Sequence, residues 1–108
     1  MIRPRIALLK VIAYLDDPYR RAKDILDLKA LFNKYDAHSD RIFSDELFDA
    51  KLQDSNQASA YLLGLDLGLI ATDSDRKLLQ EFLERQLDRD THTERFRLHL
   101  EVFQQGIG

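Results

Sequence analysis

The chain of 108 residues has no cysteine, no tryptophan, two prolines and four glycines. Without cysteine it has neither disulfides nor thiolate metal sites, a composition that suits a reducing cytoplasm. The scarcity of proline and glycine leaves few breaks in a sequence rich in helix formers, 44% of it hydrophobic and 32% charged. We therefore expect an all-α, cytoplasmic protein, and its length suits a single domain.

The sequence also lacks a dominant charge and a long apolar run. Sixteen basic residues are interleaved with nineteen acidic ones, for a net charge of −3. A broad basic surface is therefore absent, and we expect no direct nucleic-acid binding by this chain alone, although a local phosphate site fits the charge balance. No apolar stretch reaches the roughly 20 residues that cross a bilayer. We expect no membrane association.

Apolar spacing predicts about six helices in one compact bundle that spans residues 1–108. The first, from Pro4 to Asp16, is apolar nearly all round, which is typical of a helix covered on most sides. Asp17 and Pro18 form a cap and first-turn pair that predicts a second helix from Pro18 to Tyr35. The predicted buried face of that helix comprises Ile25, Leu28, Phe32 and Tyr35.

Additional helices are predicted within residues 44–106. Ser44 caps a short third helix that ends near Gln53. The fourth, at residues 57–70, has a stripe of small residues that another backbone could approach closely, formed by Ala60, Gly64 and Gly68. Gly68 is also a candidate for the left-handed residue that ends this helix.

Two further helices complete the predicted bundle. Thr72 and Asp75 have the spacing of a capping box and open the fifth. Its predicted buried face comprises Leu78, Leu79, Phe82, Leu83 and Leu87. The sixth begins near Thr93, and its predicted buried face comprises Phe96, Leu100, Phe103 and Ile107.

The loop at residues 32–47 is similar to a calcium-binding EF-hand only in part. With Asp36 at position one, Asp40 falls correctly at position five. Arg41 replaces the turn glycine, however, and Leu47 stands where the bidentate glutamate belongs. The three histidines are scattered and typical of surface or packing residues. We assign no metal site to the chain.

Charged residues in the first two helices are the strongest candidates for a functional site. On the second helix Arg20, Asp24 and Asp27 share one side, and Lys10 lies inside the apolar first helix. An ammonium suits phosphate binding, and a carboxylate can hold a metal or accept a proton from an attacking hydroxyl. A second interpretation is that Arg20–Asp24 and Lys23–Asp27 are solvated pairs four residues apart, and that Lys10 extends to solvent.

Residues 7–32, ALLKVIAYLDDPYRRAKDILDLKALF, are similar to two consecutive motifs of one family. An L-K-x-x-A helix is followed by an R-x-K-D-x-x-D-L helix, as in the C-terminal part of predicted nucleotidyltransferases related to the AbiEii/AbiGii toxins of type IV toxin-antitoxin systems. The likeness extends over residues 5–35, and residues 60–70 resemble a helix found downstream in that family.

The resemblance implies roles for five residues. Lys10 corresponds to a lysine that contacts the nucleotide phosphates, and Asp24 to a general base or nucleotide-site carboxylate. Arg20, Lys23 and Asp27 are the charged residues that accompany them. Many relatives carry a basic residue near the positions that Asp16 and Asp17 occupy here.

Two family features are missing from this sequence: a G-[GS] turn and, some ten residues after it, the D-x-D pair that holds the catalytic magnesium. D-S-D at residues 73–75 is a predicted helix cap with no strand or glycine turn before it. Without that metal the transition state loses its main charge neutralisation, so we expect this chain alone to be inactive and to bind no cofactor. The resemblance implies that magnesium and a nucleoside triphosphate bind only after a missing N-terminal half or a cognate partner protein completes the site. The alternative is a non-catalytic helical interaction module whose first helix docks on a partner or forms a homodimer.

Overall fold

The computed structural model describes residues 4–20, 23–35, 55–89 and 92–108, except the side chains of residues 55 and 56. These ranges contain helices and no strand, which confirms the all-α prediction. The helices are α1 (Pro4–Asp16), α2 (Lys23–Lys34), α3 (Ser55–Ile70), α4 (Asp73–Leu87) and α5 (Glu94–Ile107). The helix predicted from Ser44 to Gln53 and the loop around Asp36 and Asp40 lie outside the described residues.

The bounds of α1 are those predicted, but α2 begins later than the Asp-Pro pair indicated. Residues 18–20 form a turn, in which the Arg20 backbone N–H donates to Asp17 Oδ1 at 3.3 Å. Asp17 therefore caps a turn, a role that short acidic side chains commonly have, and α2 starts at Lys23. The prediction that Arg20 lies on the second helix is wrong.

Both helices at the C-terminal end of the chain begin with a side-chain cap, and the capping box of the first was predicted. Thr72 Oγ1 accepts a hydrogen bond from the Asp75 N–H at 3.1 Å, and Asp75 Oδ2 accepts one from the Thr72 N–H at 3.0 Å. Thr93 Oγ1 accepts from the Phe96 N–H at 3.2 Å. These contacts satisfy N–H groups that have no partner within a helix.

The most extensive interface of the bundle joins α3 to α5. A Cβ atom added at Gly64 would overlap the Phe103 carbonyl oxygen, and one added at Gly106 would overlap the Tyr61 carbonyl oxygen. The predicted stripe of small residues is therefore where α5 approaches. Gly68 lies within α3, which continues to Ile70, so the prediction that Gly68 ends the helix is wrong.

Aromatic and aliphatic side chains from all five helices fill the core. Ile25, Leu28, Phe32 and Tyr35 on the predicted face of α2 are all buried. The Phe32 ring lies 5.1 Å from that of Phe103, between centroids, and 6.0 Å from that of Phe96. The Cα radius of gyration is 13.0 Å, close to the roughly 13 Å expected for a compact domain of this size.

One side of α1 is open to solvent. Ala7, Leu8, Val11 and Tyr14 face the core, whereas Ile6 and Leu9 are 43% and 56% exposed. The prediction that α1 is covered on most sides is therefore wrong along the stripe of Ile6 and Leu9, although α1 packs against α2, α3 and α4. Among the described helices, none has both the length and the apolar character needed to cross a bilayer.

Candidate functional site

Lys10 joins α1 to α2 through two carboxylates. Its Nζ lies 2.9 Å from Asp27 Oδ2 and 3.4 Å from Asp24 Oδ1. The two acids are three residues apart on α2, so they lie on neighbouring positions of one helical face. The structure therefore brings together three of the five predicted site residues, here called the Lys10 cluster, and Lys10 extends towards these carboxylates.

The three members of the Lys10 cluster differ in their access to solvent. The Asp24 side chain is fully buried, that of Lys10 is 29% exposed, and that of Asp27 is 49% exposed. Asp24 also lies in the first turn of α2, where the helix dipole favours a negative charge. A ligand that approaches this surface would therefore meet Asp27 and Lys10 before it met Asp24.

Hydrogen bonding keeps the Lys10 ammonium charged. The hydrogen bond to Asp27 is the largest cause that raises the pKa of Lys10 above its ordinary value of 10.5. Partial burial acts in the opposite direction, while the hydrogen bond to Asp24 and the charges of both carboxylates raise the pKa further. At neutral pH Lys10 is therefore a positive charge held in a defined place.

Arg20 and Lys23 line a neighbouring polar cleft of about 580 Å³, together with Ala13, Asp16 and Asp17. Ala13 follows Lys10 by three residues on α1, and Lys23 precedes Asp27 by four on α2, so the polar cleft adjoins the Lys10 cluster. Arg20 reaches this cleft from the turn and not, as the second interpretation assumed, from α2. The predicted partner of Lys23, Asp27, is instead bound by Lys10.

The charges along this α1–α2 surface nearly cancel. Among the described residues of the polar cleft and the Lys10 cluster, three cations, from Lys10, Arg20 and Lys23, stand against four carboxylates, from Asp16, Asp17, Asp24 and Asp27. A triphosphate would therefore meet no net positive charge here, and its binding would need cations from another chain segment or a metal.

The residues present do not by themselves form a magnesium site. Asp24 and Asp27 provide two carboxylates, and Lys10 contacts both of them. Within the described ranges, no three or more histidine, aspartate or glutamate side chains are grouped so that they could hold a metal. Any magnesium at this surface would need further ligands from other residues.

A second cleft, not predicted from the sequence, is lined by Tyr14, Pro18, Tyr19, Ile25, Arg89 and His92. These residues come from α1, the turn after it, α2 and the segment that joins α4 to α5. No local motif marks them, because they are separated by up to 78 positions in the chain (92 − 14). Only the tertiary packing of these separate segments brings them together.

No protein-family model matches the chain, and no curated protein or solved structure is significantly similar to it. The resemblance to predicted nucleotidyltransferases therefore remains a hypothesis. This hypothesis rests on the two motifs in α1 and α2 and on the geometry of the Lys10 cluster.

Proposed function

We propose that this chain is the helical C-terminal domain of a nucleotidyltransferase-like protein and contributes the Lys10 cluster to its nucleotide site. The proposal rests on one observation: Lys10 Nζ lies 2.9 Å from Asp27 Oδ2 and 3.4 Å from Asp24 Oδ1, and both carboxylates are on α2. Lys10 and Asp24, the lysine and aspartate of the two motifs, would act together in the nucleotide site, and their contact supports this joint role. The complete protein would transfer a nucleotidyl group from a nucleoside triphosphate.

Within this proposal the three residues have different roles. Lys10 contacts the phosphates, because an ammonium is a mobile point charge that several oxygens can share. Asp24 positions Lys10, since a fully buried carboxylate cannot accept a proton from an attacking hydroxyl without a change of conformation. Asp27 is half-exposed and is the better placed of the two acids to touch a substrate. This assignment differs from the general base that the resemblance implies at Asp24.

Arg20 and Lys23 extend the proposed nucleotide site into the polar cleft. Its volume of about 580 Å³ is in the range of about 300–1,000 Å³ that small-molecule sites occupy. Asp16 and Asp17 line the same cleft and would repel a phosphate. We therefore place the phosphates closer to Lys10 than to Asp16 and Asp17.

The site needs residues from outside this chain. The magnesium-binding carboxylates would come from an N-terminal half or a cognate partner, in a cytoplasmic protein. Bound magnesium supplies charge neutralisation during phosphoryl chemistry. The chain alone has near-zero net charge along the α1–α2 surface, which supports our expectation that it is inactive in isolation.

The test is nucleotide transfer by the complete protein, with labelled nucleoside triphosphate and magnesium. We expect Lys10→Ala and Asp24→Asn to reduce transfer by about 100-fold or more, as loss of a charged contact to the transition state does. Lys77→Ala, which removes an exposed lysine from α4, is the matched control. Undiminished transfer by Lys10→Ala would disprove the proposal, as would transfer by the isolated chain.

A second candidate function is a non-catalytic interaction module, and the exposed side of α1 favours it. Ile6 and Leu9 are large apolar residues that a partner or a second copy could cover. If this side mediates homodimerisation, sedimentation should detect a dimer that Leu9→Lys abolishes. Leu69→Lys, at an exposed leucine on α3, should leave that dimer intact. A monomer at all concentrations, with no partner lost in Leu9→Lys, would exclude this function.

A further inference from the structure

The second cleft, here called the aromatic cleft, has the size of a small-molecule site. Its volume is about 550 Å³, within the range of about 300–1,000 Å³ typical of ligand pockets. Pro18 and Tyr19 line it, whereas the adjacent turn residues Asp17 and Arg20 line the polar cleft. Among the described residues, the aromatic cleft shares no lining residue with the polar cleft or with the Lys10 cluster.

Two tyrosines give the aromatic cleft a preference for a flat apolar group. Tyr14 is buried, and its ring meets the Phe82 ring edge-on with centroids 5.6 Å apart, which fixes its position. Tyr19 is 94% exposed, so a ring placed against it would remove apolar surface from water. Ile25, which is buried in α2, completes the apolar lining.

The lining also includes one cation, Arg89, and one titratable ring, His92. Arg89 is exposed at the end of α4, and His92 follows in the segment that joins α4 to α5. Arg97 Nη1 donates to the Arg89 carbonyl oxygen at 2.8 Å, which ties the backbone at Arg89 to α5. On α2, Lys29 places its Nζ 4.7 Å from the centroid of the Phe96 ring.

These cations act together on His92. Partial burial is the largest cause that lowers the pKa of His92 below its ordinary value of 6.5, and the charges of Lys29, Arg89 and Arg97 lower it further. The acidic residues that flank this segment, Asp88 at the end of α4 and Glu94 at the start of α5, are both exposed. An anion in the aromatic cleft would relieve the repulsion on the protonated ring and raise this pKa.

A buried amide fixes the orientation of the His92 ring. Gln86 Oε1 lies 2.8 Å from His92 Nε2, which is hydrogen-bond distance between the amide and the ring. The Gln86 side chain is fully buried, and its Nε2 has no hydrogen-bond partner among the described residues.

We propose that the aromatic cleft binds a small planar aromatic anion, a ring that carries a carboxylate or a phosphate. The ring packs against Tyr14 and Tyr19, and the anionic group pairs with Arg89 and the protonated His92. This inference does not rest on the proposed nucleotidyltransferase function, since it uses neither the Lys10 cluster nor the polar cleft.

The experiment is an NMR and calorimetric titration of the intact chain with phenyl phosphate and with benzoate. Inorganic phosphate lacks the ring, and benzamide lacks the charge, so each is a control for one feature of the ligand. We expect at least one aromatic anion to bind about tenfold or more tightly than either control, equivalent to about 1.4 kcal/mol. Which of the two binds more tightly distinguishes a phosphate ligand from a carboxylate ligand.

Two substitutions of exposed residues locate the binding without disturbing the core. Tyr19→Ala and Arg89→Gln should each weaken binding about tenfold, and the pKa of His92 should rise when the ligand binds the unsubstituted chain. Arg85→Gln is the matched control, because Arg85 is exposed on α4, four residues before Arg89, and pairs with Glu81 at 2.7 Å. Circular dichroism checks that each variant is folded.

Three results would overturn the inference. The first is binding of benzamide as tight as that of benzoate and phenyl phosphate. The second is unchanged affinity in both Tyr19→Ala and Arg89→Gln. The third is a set of ligand-induced shifts centred on Lys10 and Arg20 instead of on Tyr19 and His92.

Discussion

Gly64 and Gly106 face each other where α3 crosses α5. A Cβ atom added at Gly64 would lie 3.1 Å from the Gly106 Cα, and it would also overlap the Phe103 carbonyl oxygen. The two backbones are therefore in direct contact, and any side chain at either position would push the helices apart. This crossing fixes the most extensive interface in the bundle.

Replacement of Gly106 by alanine should destabilise the protein. Where no other backbone lies close, replacing a glycine within a helix by alanine would stabilise the protein by about 1 kcal/mol. Here the new Cβ would meet the Tyr61 carbonyl oxygen, which belongs to the backbone of α3 and cannot move alone. We expect a net loss of roughly 1–3 kcal/mol in urea denaturation, typical of overpacking. A gain in stability would contradict the observed crossing.

Removal of the Lys10 charge should cost more stability than removal of the Asp27 charge. Lys10→Met removes the Lys10 ammonium from the buried Asp24 carboxylate, and we expect a loss of about 1–3 kcal/mol, the cost of a hydrogen bond to a charged group. Asp27→Asn affects a half-exposed pair, and such pairs contribute about 0–1 kcal/mol. Denaturation midpoints of the two variants measure the difference. Equal losses would show that Asp24 does not depend on Lys10.

Stability should fall in acid partly because of His92. Its pKa in the folded chain is below the ordinary 6.5, so the unfolded chain binds more protons in the interval between the two values. The contribution of His92 is therefore present above pH 6.5 and is lost as the pH falls through the folded value. Urea denaturation at pH 7.5 and at pH 5.0 measures the free energy of unfolding. Its decrease between the two pH values should be smaller in His92→Gln than in the unsubstituted chain. Identical losses would exclude this linkage.

Arg76 should stabilise the ends of two helices. Its Nη2 donates to the Gly68 carbonyl oxygen at 2.5 Å, and its Nη1 donates to the Ile107 carbonyl oxygen at 3.3 Å. Both carbonyls lie in the last turn of a helix, where partners and positive charges are favourable. Arg76→Ala should cost about 1–3 kcal/mol in thermal or urea denaturation. Lys77→Ala, the exposed neighbour, should change stability little.

The helices could be predicted from the sequence because their signals are local. The capping box of Thr72 and Asp75 forms as its spacing indicated, and the last helix begins next to Thr93, near the predicted start. The start of α2 could not be predicted in the same way. An Asp-Pro pair suits both a helix start and a turn, and here the Asp17 side chain closes a turn at Arg20 instead.

The candidate sites depended more on tertiary contacts. Motif spacing placed Lys10 and Asp24 on successive helices, but it left open whether Lys10 extends to solvent or to α2. Burial of Asp24 and exposure of Asp27 could not be read from their spacing, since both lie on the same side of α2. The aromatic cleft had no sequence signal, because its lining comes from separate segments.

By itself, the sequence determined the helical class, the faces that pack into the core and the stripe of small residues on α3. These follow from periodicity and backbone propensity, which act over a few neighbouring residues. Only the tertiary structure decided that α5 is the partner of that stripe, that one side of α1 is open to solvent and that Lys10 binds both carboxylates of α2. Such contacts depend on how the helices pack together, and periodicity within one helix does not specify its neighbour.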